Sequence, residues 1–167
     1  KSVFPGMKVE AVDSKSFAVD PESYAVGPNT IVLAISHSGQ YFHTVDDVVF
    51  LNTLHEQGRC GPVFGMAGLF DSVPLGQALG QSYKASAKSN HRIFVTHAGW
   101  RLDEPKPVVP LATEMTLSHL MIIIAEKAKS KKFGRAVTDD TIRRLKEGQD
   151  YLQERSESIF GANRKGQ

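Results

Sequence analysis

Cysteine occurs once in this chain, at Cys60, so no internal disulfide can form, and a reducing, cytoplasmic setting fits that composition. Cys60 itself is expected to be a structural thiol, the common fate of an isolated buried cysteine. Long apolar runs are missing too. The longest, residues 120–125, falls far below the ~20 residues a bilayer span requires, so no membrane association is expected and no secretory leader is recognisable. Charge of one sign is also lacking: the net charge is +2, and the basic residues do not gather on a reading helix, which removes the case for nucleic acid. The six histidines are irregularly placed, with His37 and His43 out of register for one helical face, and neither a metal nor another cofactor is expected.

What is present is an ordinary globular mixture of 167 residues, 41% hydrophobic and 23% charged, enough for one domain with a sizeable core plus a tail. The chain opens at Lys1 without a methionine and is expected to be a fragment or a processed form. Residues 7–12 alternate apolar with polar, the period of a half-exposed edge strand. Ile31-Val32-Leu33-Ala34-Ile35 reads as a strand covered on both faces, and the spacing of Val45, Val48, Val49 and residues 51–54 predicts a helix over 41–56 that stops at Gly58. The cycle repeats with an apolar stretch at 63–67 and a helix over 74–85 opened by Pro74, and a further strand is expected at 91–96. A long helix follows, starting at Ala112-Thr113-Glu114-Met115 and reaching Lys129. Strand and helix alternating in this way imply an α/β fold with a parallel sheet between helices. Residues 1–131 form the expected domain. Residues 132–167 read as a charged helix or linker, with Ile142, Leu145 and Leu152 on one side over 138–156 and a frayed end at 161–167.

The chemistry concentrates in Ser36-His37-Ser38-Gly39-Gln40, between the first of these strands and its helix. In a parallel sheet, ligands collect outside the carboxyl ends of the strands. A helix starting near Tyr41 would leave the N–H groups of residues 39–42 unpaired, with the helix dipole adding positive potential. Ser36 and Ser38 add hydroxyl donors and Gly39 permits close approach, so the stretch composes an anion cradle, most naturally for phosphate. Capping alone would account for one serine. An alternative makes Ser38 the nucleophile of a serine hydrolase, with His97, His119 and Asp103 as partners; Ser36 suits the elbow such enzymes use, but Gln40 stands where a small residue is needed.

Ile35-Ser36-His37-Ser38-Gly39-Gln40 resembles the Ser-x-Ser-Gly-Glu/Gln-Thr signature of SIS (sugar isomerase) domains, modules that bind phosphosugars. Residues 9–17 are similar to the family's preceding strand with its Ser-x-x-Phe ending, residues 27–30 to the lead into the motif strand, and "DSVPLGQAL" to the next serine-started helix. "PLATEMTLSHLMIIIAEKA" resembles the helix that closes the site, so the likeness covers about residues 3–130. It implies a three-layer sandwich of flavodoxin-like type with a five-stranded parallel sheet, four strands being recognisable and the first strand-helix unit lying before Lys1. It further implies ligand contacts from Ser36, His37, Ser38, Gly39, Gln40, Tyr41, Thr44 and Thr113, with Tyr41 standing where the family usually has threonine. Glu114 is the one candidate for the carboxylate base an aldose-ketose isomerase would need; its alternative role is to complement the closing helix's dipole. The implied partners are a phosphorylated sugar and a second SIS domain or a second copy in a homodimer. A regulatory binding domain fits these residues better than an isolated enzyme. The alternatives are a phosphosugar isomerase or amidotransferase half, and a non-binding assembly module with Tyr41 filling the old site.

Overall fold

A computed structural model describes residues 8–68, 73–81, 92–96, 108–130 and 137–164. The chain forms two compact units, one of Glu10–Val109 and one of Lys1–Val9 with Pro110–Gln167.

In the first unit, β1 (Val32–Ser36), β2 (Val63–Ala67) and β3 (Ile93–Val95) form a parallel sheet in chain order, with Val32 opposite Val63 and Gly65 opposite Ile93. Helices α2 (Phe42–Glu56) and α3 (Pro74–Gln81) make the two crossovers. Because both crossovers step in the same direction across the sheet, right-handedness puts both helices on one face. Side chains of that face, Val32, Ala34, Val63 and Ala67, meet Val48 and Leu51 of α2 and Leu75, Ala78 and Leu79 of α3 in a single core. Gly65 lets α3 seat closely: a Cβ there would stand 2.5 Å from Leu79 Cδ1. The other face carries Leu33, Ile35, Phe64, Met66 and Phe94, with Phe64 and Phe94 in ring contact and Met66 buried. That second apolar face is what a three-layer sandwich requires, and three neighbours in chain order are compatible with one side of a flavodoxin-like sheet.

The α/β class and all three central strand positions agree with the sequence reading, and several details differ. The strand expected at 31–35 runs one residue later; Ile31 is 70% exposed, and Ser36 becomes the strand's last residue. The edge strand expected at 7–12 is absent over residues 8–12, where Val9 is 77% exposed and unpaired with any described strand. The Ser-x-x-Phe segment belongs to a helix, α1 (Ser14–Val19), because the Asp13 carboxylate caps it by accepting the N–H groups of Lys15 and Ser16. Three strands rather than four are therefore present among the described residues. Helix α2 ends as expected: Gly58 adopts φ 71°, its N–H reaches the His55 carbonyl and that of Arg59 reaches Leu54, the paired closure of a glycine-terminated helix. Helix α3 is seen to Gln81, and the remainder of the expected 74–85 helix lies outside the described residues. Cys60 is buried in the core, and burial pushes its thiol pKa up, as suits a structural residue.

At the amino-terminal end of the strands sits Arg92, 8% exposed. Its guanidinium donates to the Val63 carbonyl at 3.1 Å, to Asn52 Oδ1 at 3.2 Å and to the Leu79 carbonyl. Asn52, itself 2% exposed, donates onward to the Ala78 carbonyl at 3.1 Å. The Ala78 and Leu79 carbonyls thus lie on the same buried polar cluster as Arg92 and Asn52. At the edge of the unit, α1 docks on α2 through Phe17 and a hydrogen bond from the Ser14 hydroxyl to Asp47. Burial raises the Asp47 pKa, opposed by the Ser14 hydrogen bond and the His43 charge.

The second unit holds α4 (Val108–Ser130) from Pro110 onward and α5 (Asp139–Arg164). They run antiparallel, as His119 meets Gln149, Glu126 pairs with Lys146 at 2.8 Å and Lys129 pairs with Asp139. These contacts are exposed, where solvent screening leaves ion pairs little net effect on stability. Ile122, Ala125 and Val137 are the buried apolar residues, while Ile142, Leu145 and Leu152 of α5 are half-buried. Helix α4 begins at Val108 rather than Ala112, tolerating Pro110 in its first turn, and α5 continues to Arg164 instead of fraying at 161. No described helix is long and apolar enough to cross a membrane.

Replacing Arg92 with Met is expected to lower unfolding free energy by about 3 kcal/mol in urea titration, since it strands Asn52 and two backbone carbonyls, and Arg92→Lys should recover less than half of that. For Asp47, the native pKa lies above the unfolded value, so its protonation favours folding and the penalty is complete above the native pKa. Asp47→Asn should therefore raise Tm at pH 7, with the gain over the parent protein shrinking as pH falls through the carboxylate range.

Candidate functional site

The segment from Ser36 to Thr44 turns the chain from the carboxyl end of β1 into α2. The turn is tight: the Gly39 N–H returns to the Ser36 carbonyl at 3.2 Å, and Gly39 adopts φ 64°. Only glycine fits. A Cβ at Gly39 would stand 2.2 Å from Val73 Cγ2 and 2.9 Å from Val73 Cβ, besides requiring an unfavourable backbone conformation. The loop is braced from two sides, by Gly68 N–H to the His37 carbonyl at 2.7 Å and by Leu75 N–H to the Gly39 carbonyl at 2.9 Å. The second bond ties the start of α3 to the loop.

Tyr41 is the N-cap of α2, in extended conformation, and no side chain caps the helix. The first intrahelical bond is Val45 N–H to the Tyr41 carbonyl at 3.1 Å, so the N–H groups of Phe42, His43 and Thr44 have no intrahelical acceptor. Fifteen aligned peptide units add their dipole at that end. Ser38 is not the cap: its hydroxyl accepts the Gln40 N–H at 3.2 Å, a local turn bond.

Two hydroxyl residues beneath this turn are each 7% exposed, Ser36 and Thr44. Ser36 follows Val32 and Ala34 on the core-facing side of β1, and Thr44 heads the buried stripe of α2 that continues with Val48, Leu51 and Asn52. Neither side-chain hydroxyl makes a hydrogen bond among the described residues, and neither oxygen is fully enclosed, so solvent reaches both. Thr53 and Thr116 show the usual alternative, bonding the carbonyl four residues back at 3.0 and 2.8 Å. A hydroxyl open to solvent keeps its donor available, so the strand-helix junction offers two of them to an incoming acceptor.

Of the residues singled out in the sequence, Ser36, His37, Ser38, Gly39, Gln40, Tyr41 and Thr44 come together on this one junction. His37 and Gln40 are exposed there. The Tyr41 ring is 40% exposed and lies against Phe42 and His43, with centroids 5.6 and 5.4 Å away. Thr113 and Glu114 lie on α4 in the helical unit. Glu114 is the seventh residue of that helix, one turn beyond the dipole-sensitive start, because α4 opens earlier than expected. Sequence reasoning missed Val73, whose side chain holds the loop; it was legible only as one residue of "DSVPLGQAL".

The hydrolase alternative falls partly outside the described residues. The Ser38 hydroxyl is engaged with the Gln40 N–H, His119 faces Gln149 Nε2 at 3.3 Å, and His97 and Asp103 lie outside the described residues. No group of three or more His, Cys, Asp or Glu able to hold a metal occurs among the described residues. Compared with known proteins, the chain matches no family model, no curated protein and no solved structure.

Gly39→Ala is expected to cost about 3 kcal/mol, from the left-handed backbone and the Val73 clash together. In a double-mutant cycle on denaturant unfolding, Val73→Ala should offset about 1 kcal/mol of that loss, whereas a cost additive across the pair would place the strain elsewhere.

Proposed function

We propose that this chain carries an SIS-like binding domain for a phosphorylated sugar, with the phosphate held at the Ser36–Thr44 junction. The observation that carries the reading is the meeting, in one turn, of an uncapped helix start and two hydroxyl residues that make no hydrogen bond among the described residues. Phosphate offers several strong acceptors to those donors and complements the dipole, and no metal is needed for that. Ser36, the N–H groups of Phe42, His43 and Thr44, and the Thr44 hydroxyl would contact it, with Ser38 able to exchange its local bond for a ligand bond. His37, Gln40 and Tyr41 border the junction, and Thr113 stays in the proposal on the strength of the family resemblance alone.

Tyr41 in place of the family's threonine removes one donor. It also removes the side chain that would itself cap the helix, leaving those N–H groups for a ligand. Its ring, resting on Phe42 and His43 and partly exposed, favours a binding domain over a module that has filled its own site. The role is regulatory binding, alone or beside a second SIS domain or second copy.

Calorimetric and thermal-shift titration with glucose 6-phosphate, inorganic phosphate and glucose tests this. The sugar phosphate should stabilise the chain by about 2.7 kcal/mol at a hundredfold excess over Kd, free phosphate should do so more weakly, and glucose not at all. Ser36→Ala should weaken the response at least tenfold. A chain whose Tm ignores phosphate in every form would refute the proposal.

A further inference from the structure

A second feature lies away from the strand ends, where α1 and the 3₁₀ turn at Pro21–Ser23 meet the outer side of α2. A cavity of about 240 Å³ opens there, largely apolar and lined by Phe17, Ala18, Pro21, Phe50 and, along its α2 side, Asp46 and Asp47. Its size decides between classes of occupant. Pockets that engulf small-molecule ligands run from roughly 300 to 1,000 Å³, so this one suits a single long side chain.

Its chemistry decides which side chain. Phe17 and Phe50 stand with ring centroids 6.3 Å apart at 60°, giving an aromatic wall, and Phe50 is 41% exposed. Asp46 has no hydrogen-bond or ion-pair partner among the described residues, and Asp47 receives only the neutral Ser14 hydroxyl. Arginine meets both demands at once: its methylene stem lies along apolar surface, its guanidinium stacks on aromatic faces, and its forked donors match carboxylates. The surroundings extend the match to a polypeptide, because Val19 and Val49 stand 86% and 47% exposed on the neighbouring turns of α1 and α2 and would meet apolar residues flanking the arginine. The raised pKa of Asp47 agrees, since it marks a carboxylate that burial has left short of positive charge.

We infer that the α1–α2 groove is a docking site for a partner polypeptide that inserts an arginine flanked by apolar residues, its guanidinium meeting Asp46 and Asp47 and its stem lying along the apolar wall of Phe50, Ala18 and Pro21. This stands independently of the phosphate site, which lies at the start of α2 and uses none of these side chains.

The test is an NMR titration of the full chain with acetyl-Leu-Arg-Leu-amide, against the same tripeptide carrying norleucine or glutamate in the centre. The arginine peptide should produce saturable shifts at Phe17, Asp46 and Phe50 and bind at least tenfold more tightly than either control. Asp46→Asn with Asp47→Asn should cost at least tenfold in affinity while leaving the fold intact, as an unchanged thermal unfolding cooperativity would verify. Phe50→Ala, which removes half the wall and keeps both carboxylates, should weaken binding severalfold. Equal binding of the norleucine peptide, shifts centred outside the groove, or undiminished affinity in the doubly amidated variant would each overturn the inference.

Discussion

A single buried cation organises the α/β unit. Arg92 stands at the foot of β3 with its guanidinium among oxygens of β2, α2 and α3, so three elements far apart in the chain share one set of donors. An arginine this buried is costly unless its donors are met. Here the meeting groups are backbone carbonyls of β2 and α3 and an asparagine whose two polar atoms are both used. The position of α3 over the sheet is set by that shared cluster.

That constraint reaches the opposite end of the sheet through α3 (Pro74–Gln81). Holding Leu79 on Arg92 places the first turn of the same helix, and the first turn is what the Ser36–Gln40 loop leans on. Leu75 donates to the Gly39 carbonyl, while Val73 fills the space that any Cβ at Gly39 would take. The left-handed turn is thus held from outside, and with it the direction in which α2 departs and the placing of Ser36 and Thr44. Precise donor positions at a helix start depend on such support, since the loop's own bonds are few.

The parts of this arrangement that were readable in the sequence are those governed by local rules. Three apolar β-branched or mixed runs, Pro74 at a helix start and Gly58 at a helix end are written in single residues, and the helix-loop-strand order follows from them. Where the reading failed, a neighbour intervened. Residues 8–12 alternate as a strand should, yet Asp13 caps a helix directly behind them and no described strand lies alongside. The start of α4 shifted because Pro110 is compatible with a first helical turn, so the prolines did not mark the boundary that the sequence suggested. The site shows the same division. Two serines and a glycine were legible as a cradle, but Arg92, Asn52 and Val73 act through contacts at separations of tens of residues and leave no local pattern.

Helix α2 carries apolar residues on two sides, which explains why one helix can serve both the core and the surface. Thr44, Val48, Leu51 and Asn52 face inward; Phe42, Val49 and Phe50 remain 60%, 47% and 41% exposed. A helix that only covered a sheet would have polar residues in those outer places. Along the same helix the sign of the potential changes within about one turn, from the unpaired N–H groups at Phe42 to Thr44 to the carboxylates of Asp46 and Asp47. His43 lies between them, and its charge lowers the Asp47 pKa against the larger effect of burial. An anion at the helix start and a cation in the groove would each face potential of the favourable sign, and each would offset the other's charge across that short distance. The outer face of α2 is accordingly the part of this unit whose composition the fold alone does not require.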